Sequence, residues 1–432
     1  MSNTRLTKLT PTRIPKSRHN LRSSALSENA VTVLSTLNDA GFDAYVVGGW
    51  VRDSLLGMSP KDVDIVTNAT PEQIKGLFKN CRLIGRRFRL AHVYFGREIL
   101  EVATYRGHHT EDSDNELSQS SSSGQLVRDN VFGSIEEDAA RRDFSLNAMY
   151  FDARSDSILD FANGMASLKE KTLTMIGELE NRFTEDPVRM LRAVRFSNKL
   201  DMQIPTDMTQ AIIKFGHLLA TIPPARLFEE INKLFLSGKG QKALDSLIEL
   251  SLMKHLFPTW AASAKSKDSK EYHFARKMLT NTDERIATNN RVTPAFLYAT
   301  ILWYSLEEKT ETLVQESNLS RYDAINIAVV ETLTLQCKRV MIPKRFSVTM
   351  REIWSLQYRL TRRFGKKPFA LIMHAKFRAA YDFLCLRAEV EGGQMLELAE
   401  WWTDFQKADQ NKKRQMVLPS KYKGKRAKNS RR

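Results

Sequence analysis

Along the first 170 or so residues the apolar positions change period repeatedly, and beyond them they settle into one. Ala30, Val31, Val33, Leu34 and Leu37 recur at helical spacing and predict an amphipathic helix over 28–40. It leads into the run Asp43 to Val47, whose Ala44-Tyr45-Val46-Val47 reads as a strand. Thr70-Pro71-Glu72-Gln73 offers an N-cap, a proline at the first helical position and a Gln at the third, so a short helix through Leu77-Phe78 follows. Arg82 to Ile84, Ala91 to Phe95 and Ile99 to Tyr105 read as further strands. From Glu111 to Gly124 the chain is polar and serine-rich, which predicts a mobile loop. Order resumes at Val131-Phe132 and runs into a predicted helix around Asp143 to Tyr150. After about residue 170 the period is helical: Val188 to Leu200, Ala225 to Leu236, Ala243 to Leu256, Pro294 to Leu306, and on to Trp402. The pattern predicts an α+β head, a mixed sheet with helices on one side, followed by an all-α neck, body and tail.

Charge sharpens the boundaries. Residues 1–27 hold six basic and no acidic side chains, and residues 411–432 hold ten basic and no acidic ones, which accounts for the whole formal charge of +16. Blocks of like charge stay solvated. The expected organisation is therefore a basic disordered arm (1–27), an α+β head (28–165), a helical neck (166–240), a helical body (241–410) and a basic disordered tail (411–432). Cationic ends suit a polyanionic partner held through its phosphates. Cys81, Cys337 and Cys385 lie far apart with no metal-ligand spacing, which argues against disulfides and for a reducing cytoplasm. His108-His109 reads as part of a loop, and Phe296 to Trp303 is too short an apolar run to span a bilayer.

The chemistry concentrates in Gly48-Gly49-Trp50-Val51-Arg52-Asp53, followed shortly by Asp62-Val63-Asp64. Glycines let a backbone approach a ligand, and a helix behind them offers free N–H groups to phosphate. Read as strand residues two apart, Asp62 and Asp64 project to one face, and carboxylates so placed repel unless a cation lies between them. Mg²⁺ takes one or two carboxylates together with phosphate oxygens. A phosphate cradle beside metal carboxylates outlines a nucleotidyl-transfer site. A third carboxylate is needed to hold the ion that activates the attacking hydroxyl, and two stand available: Glu101, an acid in an otherwise apolar strand, and Asp143 in Arg141-Arg142-Asp143-Phe144-Ser145-Leu146-Asn147. Glu101 reads equally as the wet face of a strand, and Asp143 as a helix cap.

This order of strand, glycine pair, helix and Asp-x-Asp strand resembles the head of the nucleotidyltransferase superfamily built like DNA polymerase beta, and within it the bacterial poly(A) polymerase and class II CCA-adding enzyme group. The resemblance implies that Gly48, Gly49, Arg52 and Arg142 position a triphosphate, that Asn147 meets the sugar, and that Asp62 and Asp64, with Glu101 or Asp143, hold two Mg²⁺ ions. The segment Glu185-Asp186-Pro187-Val188-Arg189-Met190-Leu191-Arg192 is similar to the group's base-recognition signature. Asp186 and Arg189 lie three apart, expected on one helix face with Arg192 continuing it, and by resemblance read the incoming base. The bland alternative is a cap and surface charge. Ala225 to Glu230 looks like the helix that buttresses the base site, with Arg226 a further nucleotide contact. The basic run Leu83 to Val93 is similar to one that marks the poly(A) polymerases and is missing from the CCA-adding enzymes. Trp50 is a bulky neighbour for a phosphate cradle.

What this implies is a template-independent polynucleotide adenylyltransferase that adds AMP from ATP to RNA 3′ ends, releases pyrophosphate and promotes RNA turnover, with RNA-decay proteins as partners. A CCA-adding tRNA nucleotidyltransferase shares the acidic and base residues. A catalytically silent RNA-binding relative is the alternative from another class.

Overall fold

In a computed structural model of the chain, residues 9–85, 89–107, 131–317 and 319–418 are described in full, and 118–120 and 126–129 by backbone. Two compact units divide the chain, Met1–Phe215 and Gly216–Arg432, the cut falling within the stretch read as the neck.

The strands of the first unit are β1 (Thr12–Ile14), β2 (Ala44–Val47), β3 (Asp64–Thr67), β4 (Cys81–Ile84), β5 (Leu90–Phe95), β6 (Glu98–Thr104), β7 (Ser118–Ser120), β8 (Leu126–Asp129), β9 (Met149–Asp152) and β10 (Ser157–Asp160). Eight form one sheet in the order β1-β10-β9-β2-β3-β6-β5-β4, while β7 and β8 pair separately. Only β3 and β6 run parallel among the described residues, in the register Asp64↔Glu101, Ile65↔Val102. The helices are α1 (Glu28–Asp39), α2 (Gly49–Leu55), α3 (Pro71–Leu77), α4 (Ile135–Arg141), α5 (Gly164–Glu170), α6 (Leu179–Glu185), α7 (Val188–Leu200) and α8 (Thr206–Phe215). The predicted cap of α3 is a capping box in which Thr70 and Gln73 satisfy each other's backbone N–H.

Alternation along the strands builds two cores. Val46, Ile65, Val102 and Phe151 face Ala30, Val33 and Leu34 of α1, Val51 of α2 and Ile74 of α3. Tyr45, Val47, Val66 and Tyr150 face the other way, with Ala139 of α4. The expectation of helices on one side is thus corrected. All four β2 residues are buried, and a strand apolar at every position needs cover on both faces.

Three further expectations change. Asp143 to Tyr150 is not a helix: α4 stops at Arg141, Ser145–Asn147 is a single 3-10 turn, and β9 starts at Met149. Asp143 Oδ1 accepts from the N–H of Phe144 (2.8 Å) and from Asn147 Nδ2 (2.9 Å), local bonds that compete with helix formation. Residues 9–27 of the expected arm are built into the first unit rather than free of it. β1 pairs antiparallel with β10, and Leu21 and Leu26 are buried in the α1–α3 core, so scattered apolar residues outweigh the charge of their neighbours. Most of the Glu111–Gly124 loop, residues 86–88 of the basic run and His108-His109 lie outside the described residues.

The second unit is helical: α9 (Pro224–Phe235), α10 (Gly240–Glu249), α11 (Met253–Leu256), α12 (Pro258–Ser263), α13 (Lys270–Ala287), α14 (Pro294–Ile301) and α15 (Trp303–Ser317). Then come α16 (Arg321–Cys337), α17 (Lys344–Leu360), α18 (Lys367–Ile372), α19 (Phe377–Glu391), α20 (Gly393–Lys407) and α21 (Gln410–Met416). The first residues of the expected tail instead form α21, and Val417 after it is buried against Trp402 and Phe405. The predicted helix over 243–256 breaks at Ser251, whose φ of +57° is left-handed. No helix among the described residues is long and apolar enough to cross a membrane.

Candidate active site

The sheet register carries the acidic cluster. Because β3 and β6 are parallel neighbours, Asp64, the first residue of β3, stands side by side with Glu101, midway along β6. Asp62 precedes β3 by two residues and lies in the extended approach to it rather than within the strand. The Asp64 carboxyl is pushed above its ordinary value, by desolvation first, then by the charge of Glu101 and by Asp62, while Arg142 and Arg52 pull it back. Glu101 is half exposed, with His92 Nε2 3.5 Å from its carboxylate. Among the described residues no three His, Cys, Asp or Glu groups converge into a preformed metal cage. The donor set nonetheless fits Mg²⁺, which needs few protein ligands: neighbouring carboxylates whose repulsion already raises one pKa are those a hard cation relieves.

Gly48 caps α2 with φ +71° and ψ −120°, a conformation costly for any residue with a Cβ. A Cβ there would lie 3.7 Å from Arg142 Nη1, and one on Gly49 would lie 3.8 Å from Arg52 Nη2. The glycine pair therefore opens space directly beside two guanidiniums. Trp50 is out of the way: it is 4% exposed, in the α1–α3 core, with its ring 5.6 Å from that of Phe151.

Both guanidiniums are held from behind. Arg142 Nη2 donates to Asp138 Oδ2 (2.9 Å), its Nε to the Tyr150 hydroxyl (2.9 Å), and Tyr150 in turn donates to Asp138 (2.6 Å). Burial alone would raise the Asp138 carboxyl, but Arg142 and Tyr150 outweigh it and keep the group below its ordinary value. Arg52 is 5% exposed and donates from Nε to Asp53 (2.7 Å) and from Nη1 to Asn147 Oδ1 (2.7 Å).

Asp143 and Asn147 belong to this support. Asn147 Nδ2 donates to Asp143 Oδ1 (2.9 Å), and Arg192 Nε on α7 donates to Asp143 Oδ2 (2.5 Å). Both Asp143 oxygens are engaged by protein donors, and Glu101 is the acid that the sheet register sets beside Asp64. Asn147 is 6% exposed, with both ends of its amide engaged in this network. The Phe196 ring is surrounded by cations, with the guanidinium carbons of Arg52, Arg192 and Arg195 at 5.1, 5.3 and 5.2 Å.

The base signature is arranged differently from its expected single face. Asp186 is the C-cap of α6, Pro187 is the N-cap of α7, and Asp186 Oδ1 accepts weakly from the N–H of Val188 (3.3 Å). Arg189, at the start of α7, donates from Nη1 to Glu185 (2.7 Å) and to the carbonyl of Arg182 (2.8 Å). Arg182 Nη2 donates to the carbonyl of Arg141 (2.7 Å), tying α6 to the end of α4. Its pKa falls to about 10, from burial first and then from the nearby Arg189. Arg226 lies in the other unit. Sequence reasoning passed over Asp53, Asp138, Glu185, Arg182 and Phe196. Of these, Asp138 was within reach, since it precedes Arg142 by one helical turn.

Comparison with known proteins bears on the fold and the family. Residues 44–174 match the Poly A polymerase head domain, 201–263 the probable RNA and SrmB-binding site of polymerase A, and 317–432 the polymerase A arginine-rich C-terminus. The chain is 50% identical to poly(A) polymerase I of Salmonella typhimurium over 91% of this chain and 85% of that protein. A CCA-adding enzyme of Lactococcus lactis subsp. cremoris is 37% identical over 52% of this chain and 55% of its own length. Among solved structures, the crystal structure of the Bacillus stearothermophilus CCA-adding enzyme in complex with CTP superposes with a TM-score of 0.57 at 25% identity, covering 87% of this chain and 80% of that one. With a relative of this identity matched over most of both lengths, the chain belongs to the poly(A) polymerase I family.

Proposed function

We propose that this protein is a template-independent polynucleotide adenylyltransferase whose head joins AMP from ATP to RNA 3′ ends. The observation that carries the reading is the Asp64↔Glu101 register, with Asp62 beside it and Arg52 and Arg142 acting on the same carboxyl. Asp64, Glu101 and Asp62 would hold Mg²⁺, which when bound acidifies the attacking hydroxyl and neutralises charge on the triphosphate. The RNA 3′ oxygen attacks the α-phosphorus of ATP and pyrophosphate leaves. Arg142, its fork fixed by Asp138 and Tyr150, and Arg52, fixed by Asp53 and Asn147, face the space opened by Gly48 and Gly49 and bear on the triphosphate charge. Asp143, Asn147 and Arg192 act behind them as positioning residues.

Asp186 and Arg189 select adenine, Glu185 holding the Arg189 fork in its plane until a base edge arrives. The helical unit and the cationic ends hold RNA by its backbone. Marking RNA for turnover in the cytoplasm, with RNA-decay proteins as partners, goes with this reading. The poly(A) assignment over CCA addition is supported by the extent of the match, 91% of the chain against 52%.

The test supplies the full chain and Mg²⁺ with an RNA oligonucleotide, and separately with tRNA lacking its CCA end, each NTP given alone. Repeated incorporation of AMP on both RNAs is expected. Incorporation from CTP on the tRNA would replace the assignment with CCA addition. RNA binding without any incorporation would mark a silent relative.

A further inference from the structure

The second unit carries a groove that the adenylyl-transfer site does not use. It runs between α16 and α17 as two joined cavities of about 680 and 380 Å³, which share Ile325, Asn326, Ser355 and Arg359. Cavities of this size hold small organic groups. Along one wall, Arg351, Ser355 and Arg359 follow at four-residue intervals of α17, one turn and roughly 5–6 Å apart, and Arg362 lies just past the helix end. Arg351, Arg359 and Arg362 are exposed and form no ion pair among the described residues. Along the other wall, Asn326 and Val330 follow Tyr322 at one-turn steps of α16, and Tyr322, at the mouth, is 73% exposed. The floor is apolar, with Ile325 and Leu356 buried.

Two other groups lie along the larger cavity. The Arg321 guanidinium lies over the Tyr358 ring at 5.4 Å, a planar cation beside an aromatic at the lip of the larger cavity. Gln357, 2% exposed, lines that cavity with its Oε1 lacking a hydrogen-bond partner among the described residues. Glu307 and Glu352 also line the groove, and Arg387, which lines it too, pairs with Glu307 at 3.5 Å.

We infer that this groove is a track for single-stranded RNA, with Arg351, Arg359 and Arg362 on phosphates along the strand and Tyr322 stacking on a base. Cations along an elongated channel, with an exposed aromatic at its mouth, are the combination that binds single strands with little sequence preference. An acidic polypeptide would use the arginines but has no need of a stacking platform. The inference rests on the reading that RNA is the acceptor, and it locates part of the strand upstream of the reacting 3′ end.

The test measures anisotropy of a labelled fifteen-nucleotide RNA against the full-length protein, without ATP, across a salt series. Arg351→Gln/Arg359→Gln/Arg362→Gln is expected to weaken binding tenfold or more. It is also expected to flatten the logarithmic salt slope by about two, as losing roughly three phosphate contacts on a single strand requires. Tyr322→Ala is expected to weaken binding roughly tenfold with the slope unchanged. In the adenylation assay both variants should raise KM for RNA and leave kcat and KM for ATP in place. Unchanged RNA affinity in both variants overturns the track. So does loss of poly-glutamate binding with RNA binding intact, which would assign the groove to an acidic protein. Because binding is read without catalysis, an inactive wild-type protein that binds RNA through these residues would sink only the adenylyltransferase reading. An active one indifferent to them would sink only the groove.

Discussion

Lys199, in the last turn of α7, places its Nζ 2.9 Å from Asp53 Oδ2 on α2, 146 residues earlier in the chain. Asp53 is also the acid that fixes Arg52, so one carboxylate joins the helix behind the glycine pair to the helix that begins at the base signature. From there the bonds continue through Arg52, Asn147 and Asp143 to Arg192, which returns to α7 seven residues before Lys199.

The two partners of Asp53 are unequal. Arg52 and Asp53 are both buried, and breaking such a pair leaves an uncompensated buried charge, which costs about 3–5 kcal/mol. The Lys199 side chain is 40% exposed, so its share is under about 1 kcal/mol. Asp53→Asn should therefore lower the unfolding free energy by several kcal/mol and raise KM for ATP, while Lys199→Met should do little to either. Denaturant titration and ATP kinetics check this; equal losses in the two variants would contradict it.

Asp64 and Asp143 should separate activity from stability. Asp64→Asn and Glu101→Gln are expected to cut kcat by about a thousandfold, several kcal/mol of charge stabilisation, with the fold intact. Asp143→Asn weakens the buried partner of Arg192 and should lower the thermal midpoint first, with a smaller effect on kcat. Activity assays paired with thermal melts decide. A fully active Glu101→Gln would remove that residue from the metal site.

The glycine pair offers a second separation. Gly48→Ala places a Cβ at φ +71° and should destabilise by about 1–3 kcal/mol. Gly49 has ordinary helical backbone and 3.8 Å of clearance, so Gly49→Ala should be neutral or slightly stabilising. If the space beside Arg52 takes a triphosphate, Gly49→Ala still weakens ATP binding; unchanged ATP affinity would empty that space of its assigned role.

Two acids should show opposite pH dependence of stability in metal-free buffer. Burial would raise Glu185, but Arg189 and Arg182 outweigh it and hold it below its ordinary 4.5. Its contribution is therefore present above that value and lost as pH falls through the depressed folded one. Asp64 is raised above 3.8, so its charge destabilises the folded state at neutral pH, and that penalty fades as pH falls through the raised value and toward 3.8. Glu185→Gln should be less stable than wild type at pH 7 and converge with it in acid. Asp64→Asn should match or exceed wild type at pH 7 and lose its advantage in acid. Melts from pH 7 to 3 would show either sign reversed.

How much of this was legible in the residues varied with distance along the chain. The α1 and α7 spans, the α3 cap and the Asp-x-Asp cluster rest on neighbours within a few positions, and periodicity finds them. Glu101 was a candidate only as an acid in an apolar strand; its place beside Asp64 depends on β6 crossing to lie parallel with β3, which no local pattern encodes. The Arg192 partner of Asp143 was not legible, because nothing in a charged motif marks which arginine, here 49 residues away, its carboxylate meets. Trp50 looked obstructive in the linear motif until the helix turned it toward Phe151. The Lys199–Asp53 contact left no trace in spacing at all.

The three residues of β1 are the outer guard of the sheet. They occupy the open side of β10, whose row of N–H and C=O groups would otherwise meet solvent or another molecule. Trimming the chain back to Glu28 would strip that guard together with the anchors Leu21 and Leu26. Such a shortened protein, though it keeps every residue of the transfer chemistry, would carry a self-templating rim and tend to join its neighbours strand to strand.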